Sequence, residues 1–105
     1  MTFSDIGDIL SKTGRKGTAM KVLFYMLDKY HEYNLISIDE LICVTKVAKE
    51  NLSSVCSQLS KAGILSIKHI APDGIIYEER KSRFNTKSSY QLSEDVIHLF
   101  FHIRS

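Results

Sequence analysis

Apolar residues recur three and four positions apart along much of this chain, which is the spacing of one helix face. In the clearest stretch, residues 18–33, the stripe consists of Met20, Leu23, Phe24, Leu27 and Tyr30. The same spacing predicts a short leading helix over residues 4–12 and a helix over residues 48–62. Gly63 is a natural end for the latter, because glycine adopts the left-handed conformation at little cost.

Ser37 and Glu40 predict the start of another helix. Their spacing is that of a capping box, in which each side chain accepts a hydrogen bond from the backbone amide of the other residue. The helix is expected to turn its apolar side chains towards the core, namely Ile38, Leu41, Ile42 and Val44.

Ser93 predicts a final helix to about residue 104, since Glu94 and Asp95 would lie in a first turn that favours negative charge. This helix is apolar on most of its circumference except for His98 and His102. An apolar helix needs cover on more than one side, so we expect it to form a homodimer interface.

Residues 64–70 alternate in the manner of a strand, and residues 75–77 and 90–92 predict two shorter ones. A polar, basic loop separates the last two. The order of elements predicts an α+β, mostly helical fold. We divide the chain into an N-terminal segment with a basic linker (1–17), a central domain (18–93) and a C-terminal helix for dimerisation (94–105).

Composition narrows the class of protein. The chain has 105 residues, 44% of them hydrophobic and 25% charged, with a net charge of +2; these values are typical of one folded domain. Cys43 and Cys56 fall in helical patterns and are expected to be core thiols without a disulfide. Without a secretory signal or an apolar run of about 20 residues, we expect a cytoplasmic location and no membrane contact.

Motifs of catalysis are not evident. Nothing resembles a phosphate loop, a nucleophile elbow or a metalloprotease motif, so we predict no enzyme activity and no cofactor. His98 and His102 are four residues apart and would share a helix face, as two zinc ligands do. Because no further ligand is evident, we predict a polar stripe on a packing helix and no metal site.

Residues 38–65 resemble bacterial winged-helix transcription regulators, most clearly at Leu59, Ala62, Gly63 and Ile64, which match the end of their recognition helix. That family often has glycine where this chain has Lys46. The resemblance implies a winged helix-turn-helix fold, with residues 48–62 as recognition helix, the following hairpin as wing, and double-stranded DNA as ligand.

Two groups of residues are candidates for DNA contact. Short polar side chains on a helix reach base edges in the major groove, and lysines beside them reach phosphates; here these are Lys46, Lys49, Asn51, Ser53, Ser54, Ser57 and Lys61. The wing offers Arg80, Lys81, Arg83 and Lys87 to the backbone. The alternatives are a solvated helix face and a solvated hairpin tip. Lys12, Arg15 and Lys16 form a further basic cluster that either contacts the flanking backbone or is only a linker.

We therefore predict a transcription regulator, most simply a repressor that occludes a promoter. A two-fold dimer would read a palindromic site whose halves are about 34 Å apart. Two alternatives stay open: a winged-helix module for protein–protein interaction in a larger assembly, and a plasmid or phage replication or partition factor.

Overall fold

The computed structural model describes residues 1–77 and 87–101 and has an α+β architecture, which confirms the predicted class. Five helices and four strands lie in the described residues: α1 (Phe3–Lys12), α2 (Lys16–Lys29), β1 (Ile36–Ser37), α3 (Ile38–Thr45), α4 (Lys49–Lys61), β2 (Leu65–Ile70), β3 (Ile76–Tyr77), β4 (Lys87–Leu92) and α5 (Glu94–Phe100). No described helix is long and apolar enough to cross a membrane.

The sheet is antiparallel, with strand order β1-β4-β2-β3. Leu65 lies opposite Leu92 and Ile67 opposite Tyr90, so apolar side chains share the face that meets the helices. The predicted strand over residues 90–92 is longer, because its ladder with β2 continues to Lys87, opposite Ile70. Strand β1 was not predicted, since two residues give no alternation to detect.

Helix α2 is confirmed, but its core face is rotated from the predicted stripe. The fully buried side chains are Ala19, Val22 and Leu23, with Met26 at 1% exposure. Phe24, expected in the core, is 47% exposed. The helix also begins at Lys16 and ends at Lys29, so residues 16–17, which we assigned to the basic linker, lie in its first turn.

The predicted capping box at α3 is half correct. Ser37 Oγ accepts a hydrogen bond from the Glu40 amide at 3.1 Å. The Glu40 carboxylate does not return the contact; Oε2 accepts from the hydroxyls of Tyr25 at 2.5 Å and Tyr33 at 2.7 Å. Donation to Glu40 raises the pKa of Tyr25 above its usual value. Glu40 therefore joins α3 to α2 rather than capping its own helix.

Two residues expected inside the core are on the outside of α3. Ile38, Leu41 and Thr45 are buried, and at about 100° per residue this places Cys43 on the opposite side and Val44 on the flank. Cys43 is accordingly exposed, and Val44 is 47% exposed. Cys56 is buried as predicted, and burial raises its pKa to about 12.

Helix α5 begins as predicted, since Ser93 Oγ accepts from the Val96 amide at 3.4 Å. Val96 is fully buried, and Ile97, Leu99 and Phe100 pack against the core. The exposed residues of α5 are the polar ones, Glu94, Asp95 and His98. The apolar side chains of α5 thus pack in part against the core of the same chain, while the role of this helix in dimerisation stays a prediction. Residues 102–105 lie outside the described part.

Candidate nucleic-acid interface

Helix α4 has one face in the core and one in solvent. Leu52, Val55, Cys56 and Leu59 are all 0% exposed. The helix ends as predicted at Gly63, whose φ is +87°. The amide of Gly63 donates to the Ser60 carbonyl at 3.1 Å, and that of Ile64 to the Leu59 carbonyl at 2.9 Å, which is the Schellman pattern. The inner face therefore fixes the orientation of the outer one.

The outer face brings the predicted recognition residues together. The exposed ones are Lys46, Lys49, Ser53, Ser54 and Lys61, and the half-buried ones are Asn51 and Ser57. Glu50 is also exposed there. Within the described residues, Lys49, Asn51 and Ser53 make no side-chain hydrogen bond or ion pair. Their polar groups remain free to bind a ligand.

Residues 46–48 join α3 to α4 and are called the second corner. Thr45, which is 7% exposed, closes it: its hydroxyl donates to the Leu41 carbonyl at 2.7 Å and accepts from the Val47 amide at 3.3 Å. Lys46 has φ +58° and ψ 30°, and among the described residues it is the non-glycine with positive φ. A left-handed residue other than glycine costs about 1–2 kcal/mol.

Residues 13–15 join α1 to α2 and, together with Lys16 at the start of α2, are called the first corner. The hydroxyl of buried Thr13 donates to the Leu10 carbonyl at 2.7 Å and accepts from the Arg15 amide at 3.2 Å. Gly14 follows with φ +73°. From α4, Gln58 Nε2 donates to the Thr13 carbonyl at 3.5 Å and to Ser54 Oγ at 3.4 Å. The first corner therefore lies beside the outer face of α4.

The residues of the predicted basic cluster lie in two different surroundings. Arg15 and Lys16 are exposed at the first corner, whereas Lys12 lines a cavity of 440 Å³ together with Met1, Asp5, Asp8, Ile9 and Asp95. Arg15 and Lys16 were predicted only as a basic cluster with two alternative roles, and Gln58 was not among the predicted site residues. No sequence spacing could associate Gln58 with Thr13, because 45 residues separate them.

The hairpin of β2, β3 and β4 follows α4 directly. Three of the predicted wing cations, Arg80, Lys81 and Arg83, lie outside the described residues. Lys87 begins β4, and its Nζ is 3.3 Å from Oδ2 of Asp39 on α3, with both side chains largely exposed. An exposed pair of this kind contributes little stability, so it leaves Lys87 able to exchange Asp39 for another anion.

The structure describes one of the two histidines of the predicted polar stripe on the last helix. His98 is exposed, and His102 lies outside the described residues. In residues 1–77 and 87–101, no group of three or more histidine, cysteine, aspartate or glutamate side chains is arranged to hold a metal ion. Both cysteines are free thiols.

Comparisons of the chain with protein-family models, with curated proteins and with solved structures found no match. The function must therefore be inferred from the geometry of this chain.

Proposed function

We propose that this chain is a cytoplasmic winged-helix protein that binds double-stranded DNA sequence-specifically. Helix α4 is its recognition helix and the hairpin that begins with β2 is its wing. The observation that carries the proposal is the uncovered outer face of α4, where Lys49, Ser53 and Ser54 are exposed while the opposite face is wholly buried. A helix held in this way presents a convex polar surface that fits the major groove.

The connection of the elements supports the same function. Helices α3 and α4 are joined by a short turn, and an antiparallel hairpin follows α4 with only residues 62–64 between. This is the order of a helix-turn-helix followed by a wing, which the resemblance of residues 38–65 to bacterial regulators implies. The hairpin then extends from the same end of α4 that carries Lys61.

The side chains of the outer face suit base and backbone contact. Asn51 offers an amide that can pair with adenine through two hydrogen bonds, a contact worth about 1–3 kcal/mol of discrimination. Ser53 and Ser54 offer short hydroxyls that let the helix approach base edges closely. Lys46 and Lys49, near the start of α4, would meet phosphates, which set orientation and much of the affinity.

The test is selection of bound sequences from a random duplex pool, followed by binding measurements at two salt concentrations. We expect one enriched, salt-sensitive site, and we expect Asn51→Ala and Ser54→Ala to alter the preferred bases. Ser4→Ala, at an exposed serine of α1, is the matched control and should leave the preference unchanged. The proposal fails if no sequence is enriched or if Ser54→Ala selects the wild-type site.

The regulatory part of the proposal is a homodimeric repressor that occupies a palindromic promoter site. Phe3, 60% exposed, packs edge-on against Phe100 at 5.0 Å between ring centroids, and Met1 beside it is 42% exposed. We therefore propose the α1–α5 surface as the dimer interface. Light scattering should show a dimer for the wild type and a monomer for Phe3→Ser; a monomeric wild type would refute this part alone.

A further inference from the structure

We infer that the first corner is a second contact with DNA, in which Arg15 and Lys16 bind the sugar–phosphate backbone that borders the groove entered by α4. This inference rests on the proposed function, because it extends the same interface. For Arg15 and Lys16 it chooses between the two alternatives that the sequence left open, contact with the flanking backbone and a mere linker.

The contact between Gln58 and Thr13 provides the first argument. Gln58 Nε2 donates to both the Thr13 carbonyl and Ser54 Oγ, so the corner lies against the side of α4 that presents Ser54. Arg15 is two residues beyond Thr13, and two residues span at most about 7 Å. A duplex that meets the outer face of α4 at Ser54 would therefore come within reach of Arg15 and Lys16.

The spacing along α4 provides the second argument. Lys49 and Gln58 are nine residues apart, which is about 13–14 Å along a helix. The major groove is about 12 Å wide. Cations near Lys49 and cations beside Gln58 are therefore separated by about one groove width, so they can reach the two different backbones that border the groove.

The charge and rigidity of the corner provide the third argument. Residues 12–27 contain four basic residues, Lys12, Arg15, Lys16 and Lys21, and no acidic ones. The Thr13 hydroxyl ties the corner to α1 through Leu10 and to Arg15 through its amide. A corner already held in one conformation loses little entropy on binding, and its charge complements phosphate.

The experiment measures binding to a mixed-sequence duplex of about 20 base pairs as the KCl concentration is varied. The test variant is the double substitution Arg15→Gln and Lys16→Gln. The matched control removes the same charge elsewhere, through Lys12→Gln in the acid-lined cavity and Lys29→Gln, whose Nζ lies 3.4 Å from Glu32 at the far end of α2. Circular dichroism verifies that both variants fold.

Each phosphate contact contributes about 0.9 to the slope of log affinity against log salt concentration. We expect the slope of the test variant to be less steep by about 1.8, so that between about 50 mM and 200 mM KCl it loses about tenfold less affinity than the wild type. The control should keep the wild-type slope.

The outcomes separate this inference from the proposed function. Equal slopes for the test variant, the control and the wild type would overturn the role of Arg15 and Lys16, even if Ser54→Ala still changes the preferred sequence. A wild type that binds no duplex DNA at any salt concentration would overturn the proposed function and this inference together.

Discussion

The two corners beside α4 are built in the same way but place different residues in the left-handed conformation. In each, a buried threonine donates its hydroxyl to a carbonyl of the preceding helix and accepts from the amide two residues later. The next residue has positive φ, and it is Gly14 in the first corner and Lys46 in the second. The two corners share a backbone geometry but differ in the side chain of the residue with positive φ.

This difference distinguishes the backbone conformation that both turns require from the side chains that the proposed DNA interface would require. Glycine adopts the left-handed conformation without strain, whereas lysine there costs about 1–2 kcal/mol. Backbone strain of this kind tends to occur at functional sites. In the first corner the cations follow the glycine, at Arg15 and Lys16. In the second corner only Lys46 itself can place an ammonium group before α4, which gives a reason for the strained residue.

The largest effect should come from removing the threonine hydroxyls. Thr13→Val and Thr45→Val keep the side-chain shape but leave a part-buried amide and a buried carbonyl with fewer partners, which costs about 1–3 kcal/mol for each corner. The measurement is urea unfolding of both single variants and the double variant. We expect the two effects to add, and losses below about 0.5 kcal/mol would show that the hydroxyls do not hold the corners.

The next largest effect on the free energy of unfolding should come from placing a lysine at Gly14, the position that Lys46 occupies in the second corner. Gly14→Lys has open space around its Cβ, so only the positive φ opposes it, and the loss should be about 1–2 kcal/mol. Gly7→Lys, in α1 with equally open space, is the matched control. It should stabilise the chain by up to about 1 kcal/mol, since lysine favours a helix more than glycine does. Equal effects at both positions would contradict the strain argument.

The reverse exchange, Lys46→Gly, should have a smaller effect on the free energy of unfolding, and of opposite sign. Lys46→Gly relieves the strain but adds chain entropy to the unfolded state, so we expect a gain of about 0.5–1 kcal/mol in unfolding free energy. It should also weaken DNA binding for all sequences alike and lower the salt slope by about 0.9. Lys46→Asn loses the same charge in a residue that tolerates this conformation. Unchanged DNA affinity in both variants would remove the functional reason for Lys46.

The smallest effect on stability should come from the link between the first corner and α4. Both Gln58 hydrogen bonds are long, at 3.4 and 3.5 Å, so Gln58→Ala should change the unfolding free energy by less than about 0.5 kcal/mol. It should nevertheless lower the salt slope of DNA binding in the direction of the Arg15→Gln and Lys16→Gln variant. A wild-type slope would show that Gln58 does not position this corner.

The sequence by itself determined the elements whose pattern is local. The apolar stripe of α4, its end at Gly63 and the serine caps at Ser37 and Ser93 were all predicted correctly, because helix periodicity and capping depend on residues within a few positions. The polar outer face of α4 followed from the same stripe, since fixing the buried side of a helix also fixes the exposed side. The seven candidate residues on and beside α4 could therefore be predicted from the sequence.

Only the tertiary structure decided the features that depend on distant partners. Strand β1 exists because β4 pairs with it. Phe24 is exposed because α2 packs against the rest of the chain through a neighbouring set of residues, which includes Val22 and Leu23. The Glu40 carboxylate accepts hydrogen bonds from two tyrosine hydroxyls instead of capping its own helix. The first corner meets α4 through a contact between residues 45 positions apart, Thr13 and Gln58. A local pattern of apolar and polar residues is compatible with several tertiary arrangements, and packing selects one of them. Packing therefore determined where the cations of the first corner lie.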